Sequence, residues 1–141
     1  MIKTRPQKTK TTSQLIKELD DVFSEFIRLR DCNHQGTVKC FVTGEKVWWR
    51  DSDAAHFHPR QHMGTRWDER NVHATTRDTN RYQADHLDMY ERVMYVHYSL
   101  EILNELHWAA KSAMKFTAFE LQEKITHYSE EVKKLRALKK I

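Results

Sequence analysis

The sequence predicts an α+β protein, mainly helical, with a small β element near its centre. Three observations lead there. Three glycines and two prolines in 141 residues leave few tight turns. Apolar residues recur at spacings of three and four along the first and last thirds of the chain. Between them the period shifts to that of short strands. With 39% hydrophobic and 31% charged residues, a modest core lies under a very polar surface. The length suits one domain, expected over 13–141 behind a disordered basic tail at 1–12.

In chain order, Ser13 is expected to cap a helix over about 14–30, on a stripe of Leu15, Leu19, Val22, Phe23, Phe26 and Ile27. TVKCFV (37–42) and VWW (47–49) have strand character, joined by TGEK as a turn. DAAHFH (53–58) is a third strand, 59–72 an aperiodic loop, and TTRDTNRYQ (75–83) a short helix. Residues 86–110 read as one long helix with Met89, Val93, Val96, Leu100 and Leu103 on its stripe. Thr117 and Glu120 form a capping box opening a last helix to about 138, with Phe119, Leu121, Ile125, Tyr128, Val132 and Leu135 on its partial stripe. Those stripes read as core, or as a surface that pairs two subunits.

Charge is unevenly placed. Lys3, Arg5, Lys8 and Lys10 open the chain, and Lys133, Lys134, Arg136, Lys139 and Lys140 close it, with no acid among either group. All 20 acids therefore fall in a net acidic middle. Such basic ends are either solvated or phosphate-seeking. Two cysteines, Cys32 and Cys40, suggest no disulfide framework and cannot make a four-cysteine zinc site. No apolar run is long enough for a signal peptide or membrane span. A reducing, cytoplasmic setting is expected.

The chemically dense region is 40–82, the only part without helical periodicity. Its stretch AAHFHPRQH (54–62) holds His56, His58, His62 and Arg60. Residues 50–82 add His73 and five further arginines, but no lysine. Guanidinium forks match phosphate oxygens better than ammonium groups do. Arginine and acid interleave in TRWDERN (65–71), so Asp68 and Glu69 compete with phosphate for the arginines. Phosphodiester hydrolysis needs a base for water and a cation for the developing charge. A histidine on a strand and an asparagine on the following helix can meet across a metal, the ββα-metal arrangement. His56 and Asn80 are so placed. His58 stays open between ligand, phosphate contact and packing, and His62 reads as a loop residue. Trp48 and Trp49 read as anchors of a small core rather than as base-stacking platforms.

At these residues the chain resembles the phage NinG/Rap family of recombination endonucleases, a branch of the HNH (His-Me finger) nucleases. FSEFIRLRD (23–31), VKCFVTGEKVWW (38–49), AAHFHPRQHMGTRWDERNVHATTRDTN (54–80) and KFTAFELQEKI (115–125) carry the resemblance, which runs from about 15 to 138. It implies an HNH-like core at about 38–83 and a helical C-terminal part at 86–138. His56 then matches the general base, and Asn71 the asparagine that holds the loop and orients it. Asn80 matches a metal ligand, and His73 either a second ligand or a residue that fixes the fold. Arg60, Arg66 and Arg70, with Arg81, would contact DNA. The implied activity is metal-dependent cleavage of DNA in phage recombination, including branched forms such as Holliday junctions. Magnesium, or manganese, suits oxygen ligands.

Two departures stand out. Family members carry two Cys-x-x-Cys pairs for a structural zinc. Here the pairs are Cys40 with Thr43, and Thr76 with Thr79. Threonine is a poor zinc ligand, so structural zinc is expected to be absent. Ala55 stands before the base, where the family usually has glycine. A weakened or inactive DNA-binding accessory protein is therefore the alternative. A third reading is a helical interaction protein in which the histidines only pack.

Overall fold

The computed structural model describes residues 9–82 and 86–141. Most of the expected basic tail, residues 1–8, lies outside them, as does Gln83 at the end of the expected short helix. The elements run α1 (Thr12–Asp31), β1 (Thr37–Lys39), β2 (Lys46–Trp48), a 3-10 turn (Trp49–Asp51), β3 (Ser52–His56), α2 (Met63–Arg66), β4 (Val72–Thr76), α3 (Arg77–Tyr82), α4 (His86–His97), α5 (Leu100–Lys111) and α6 (Ala118–Lys139). The α+β expectation holds, mainly helical with two small sheets.

The first helix starts two residues earlier than expected. Thr11 caps it, in a reciprocal box with Gln14. Its apolar stripe packs on α6, whose Thr117–Glu120 box forms as read. Leu19, Phe23 and Ile27 meet Leu121, Ile125 and Tyr128 in the main core. Phe23 and Tyr128 meet edge-on at 4.9 Å. Each fully buried side chain of this kind contributes about 1.5–3 kcal/mol. Phe119, expected on that stripe, is exposed instead. The C-terminal bases are not all solvated either. Lys139 Nζ donates to the carbonyls of Leu29, Arg30 and Cys32, closing the end of α1. Arg136 lies 3.6 Å from Glu25.

The strands form two antiparallel pairs. In one, Thr37 faces Trp48. There Gly36 takes a positive φ of 79°, and a side chain on it would collide with the Trp48 ring. Trp49 leaves the strand for the 3-10 turn and is buried as a core anchor, whereas Trp48, expected to anchor beside it, is exposed.

In the other pair Ser52 faces Thr76 and His56 faces Val72. Its second strand, β4, is unexpected from the sequence. VHATT is buried at four of its five positions, so it shows no alternation. Its outer edge is closed by groups from elsewhere rather than by a third strand. Arg30 donates to the Val72 carbonyl, the Ala74 amide donates to Asp31, and the Phe41 amide donates to the Ala74 carbonyl.

The expected helix over 86–110 is two. Tyr98 ends α4, and Ser99 caps α5 by accepting from the Ile102 amide. The second core cluster lies beneath this break, with Tyr90, Met94, Leu103 and Leu106 around Ala55. Between β3 and β4 the loop contains the unexpected short α2. Its Gly64 touches the α5 backbone so closely that a Cβ would strike the Ala109 carbonyl. This contact fixes the loop against the C-terminal part.

Candidate functional site

The last residue of β3 is His56, half-buried at the foot of a polar cleft of about 490 Å³. Its Nε2 lies 2.8 Å from the Arg66 carbonyl. A carbonyl only accepts, so Nε2 carries the proton and Nδ1 is the basic nitrogen. Burial holds the imidazole below its ordinary pKa. The Arg66 carbonyl opposes this, and the positive Arg60 reinforces it. The ring is therefore neutral near pH 7, the form a general base needs.

Asn80 lines the same cleft from α3. Its Nδ2 donates to Asp53 Oδ2 at 3.0 Å. The amide oxygen of Asn80 is thereby left as the remaining acceptor. Asp53, on β3, is gripped by Arg81 through two bonds of 2.9 Å.

Asn71 immediately precedes β4 and is fully buried. Its Oδ1 accepts from the His58 amide at 2.8 Å, and its Nδ2 donates to the carbonyls of His58 and Thr65 at 3.0 and 3.1 Å. Two of these bonds tie the ends of the loop that carries Arg60 and Arg66, and the third holds its middle at Thr65. This is the loop-holding place expected of Asn71.

The carboxylates were missed from sequence. Asp20 and Asp21, on α1, line the cleft together with Asp53. Asp20 accepts from Arg66 Nε at 3.0 Å and Nη2 at 2.5 Å, and from Trp67 Nε1 at 2.9 Å. It therefore fixes the residue whose carbonyl holds His56. A signal for it existed: Asp20 falls on the helix face of Ile16, Phe23 and Ile27, all buried or half-buried. An acid on an apolar face calls for a partner.

The arginines divide. Arg66 is committed to Asp20, Arg70 to Asp68 and Glu105, and Arg81 to Asp53. Arg60 is the looser one, with its side chain 64% exposed and 3.9 Å from Asp20. It faces the cleft beside His56.

His73 is not brought to the cleft. It lies buried, stacked at 3.8 Å on Phe41, between the hydroxyls of Tyr90 and Tyr98. Tyr90 donates its own proton to the Ala55 carbonyl, so it accepts from His73 Nδ1. Nε2 then accepts from Tyr98. Both ring nitrogens are used, which favours the second of the two roles expected of it, fixing the fold. Instead His73 links β4 to α4 and to the break after it. His58 lies beyond the end of β3, near His107 in a separate cavity. His62 caps α2 without a side-chain bond.

Burial, with Arg30 nearby, pushes His73 down to about 4. Unfolded chain takes up a proton near pH 6.5 that the folded chain refuses until about 4. Stability therefore falls as pH drops through this window, by roughly 3 kcal/mol from this residue. His56, also depressed, acts in the same direction. Urea midpoints from pH 7.5 to 4 should show the slope, and His73→Gln should flatten much of it. An unchanged slope in that variant would assign the effect elsewhere.

The four positions of the two degenerate cysteine pairs come together. Thr76 Oγ1 donates to Thr79 Oγ1 at 2.8 Å. Burial would raise the Cys40 thiol, but the hydroxyl and amide of Thr43 and the amide of Thr76 outweigh it and lower the pKa. One sulfur and three hydroxyls make a hydrogen-bonding cluster rather than a thiolate cage.

Among the described residues, no three His, Cys, Asp or Glu side chains are grouped to hold a metal by themselves. The cleft does offer hard oxygen donors, Asp53 and the Asn80 amide oxygen. A magnesium-type ion needs few protein ligands, filling its other positions with water and phosphate. The donor chemistry therefore fits such an ion. No described helix is long and apolar enough to cross a membrane.

A family model described as "Bacteriophage Lambda NinG protein" matches residues 1–139. Comparison with curated proteins and with solved structures returns no match.

Proposed function

Because the chain belongs to the NinG family, we propose that it is a metal-dependent DNA endonuclease of phage recombination, built on an HNH-like ββα core. The observation that carries this is the convergence of His56 and Asn80 on one cleft. It is supported by the order of β3, a long loop, β4 and α3, with Asn71 tying the loop.

In this mechanism His56 Nδ1 takes a proton from a water molecule that attacks the phosphorus. The bond to the leaving sugar oxygen breaks, and that oxygen takes its proton from solvent. Arg60 offsets charge on a non-bridging phosphate oxygen. Asn71 and Asp20 position the base, through the loop and through Arg66. Asp53 and Asn80 would hold a magnesium or manganese ion, which supplies Lewis acidity at the phosphate. The Cys40–Thr43–Thr76–Thr79 cluster takes the place of a structural zinc, with α1 and α6 bracing the core. Exposed Val96, Leu100 and Trp108 offer apolar surface for pairing two subunits.

A second reading has one observation in its favour. Asp53 already accepts three hydrogen bonds, one from Asn80 and two from Arg81, a commitment that suits a protein that binds DNA without cutting it. Linear, forked and four-way DNA, incubated with magnesium or manganese and with a chelator control, separates the two. The nuclease reading expects cleavage that the chelator abolishes, strongest on branched DNA. Binding without cleavage under either ion supports the second reading.

A further inference from the structure

The arginines expected to touch DNA are mostly committed to acids within the loop, and a different group is not. Trp49, 1% exposed, forms a fixed floor. The guanidinium of Arg50 lies 4.5 Å from its ring centre and that of Arg28 lies 5.6 Å from it. Neither arginine has an ion-pair partner among the described residues. Arg77 joins them by donating to the Arg50 carbonyl at 2.9 Å, and it stands 3.9 Å from Asp53. Arg28 in turn donates to the carbonyl of Ser24, which lines the His56 cleft. The three guanidiniums therefore continue the cleft along α1. From Asp20 to Arg28 is eight residues of helix, roughly 12 Å.

We propose that Arg28, Arg50 and Arg77 form a track for the phosphodiester backbone, carrying DNA away from the His56 cleft. The proposal deepens the reading of the protein as one that acts on DNA, and rests on it. Three cations from three elements, two of them without an ion-pair partner among the described residues, form a site whose natural counter-charge is a run of phosphates. The Trp49 floor restricts the forks of Arg28 and Arg50, so less side-chain freedom is lost when phosphate arrives. Burial lowers the Arg28 pKa; Glu25 and Asp53 draw it up, and the nearby Arg77 and Arg50 push it down. Arg136, also near the ring, is excluded from the track because Glu25 holds it.

The test is binding of a labelled DNA duplex to the full chain in chelator, across a salt series. Each phosphate contact adds about 0.9 to the slope of log affinity against log salt. Arg28→Gln with Arg50→Gln should lower that slope by about 2 and weaken binding at least about tenfold at low salt. Lys133→Gln with Lys134→Gln makes the same charge change on exposed α6 and should leave the slope unaltered. Equal shifts in both pairs would overturn the track in favour of general charge. A shift only in the lysine pair would move the contact to the C-terminal bases. Melting temperature checks folding, and the exposed Arg50→Gln alone, expected to lower the slope by about 1, keeps the test open if the pair misfolds. Cleavage with magnesium is scored separately. Its absence would count against the nuclease reading while leaving the slopes to decide the track.

Discussion

Replacing His56 with alanine should reduce metal-dependent DNA cleavage by about a thousandfold or more while the protein remains folded and still binds DNA. A positioned base contributes about 10²–10⁴ in rate, and no other histidine among the described residues lines the cleft. The structural loss is small, one bond to the Arg66 carbonyl from a half-buried ring, or about 1 kcal/mol. Activity and stability should therefore separate clearly. The parent's pH profile adds a second signature. Burial lowers the His56 pKa, so cleavage should persist to pH values below the ordinary histidine range before protonation of the base removes it. A His56→Ala protein that cuts at the parental rate would remove the proposed mechanism.

Asn71→Ala should be costly in a different way, destabilising by roughly 3–5 kcal/mol and abolishing cleavage together with loop order. Three hydrogen bonds vanish at a fully buried position, stranding two carbonyls and an amide. Asn71→Asp should fare no better. It keeps an acceptor for the His58 amide but places a charge against the carbonyls of His58 and Thr65, where the two donors were. Chemical unfolding of both variants checks this. Parental stability in Asn71→Ala would mean that the loop is held by its other contacts, Gly64 against α5 and Asp20 against Arg66.

What could be read from the sequence was local. The stripe of α1 and the Thr117 box of α6 depend on neighbours three and four residues away, and both form. His56, Asn71 and Asn80 were expected through the family resemblance of one segment, and His56 and Asn80 line the same cleft. What failed depends on distant partners. VHATT becomes a strand because Arg30 and Asp31 of α1 close its edge. The helix after 86 breaks where Tyr98 turns to His73, 25 residues back. Arg66 looked available to phosphate because its partner, Asp20, lies 46 residues away. Ion pairs across such separations leave no periodicity to detect.

The three bonds from Lys139 to the end of α1 have a consequence for how the chain is made. They join residues as far as 110 positions apart, and α1 has its most extensive partner in α6. During synthesis the apolar face of α1 emerges well before its cover, α6, which follows roughly a hundred residues later. At about 5–20 residues per second, that face waits several seconds or more without its partner. The nascent protein must pass through a stage in which Leu19, Phe23 and Ile27 are available to other hydrophobic surfaces. Chaperone demand, and the risk of aggregation when production is rapid, should therefore concentrate in the interval before α6 leaves the ribosome.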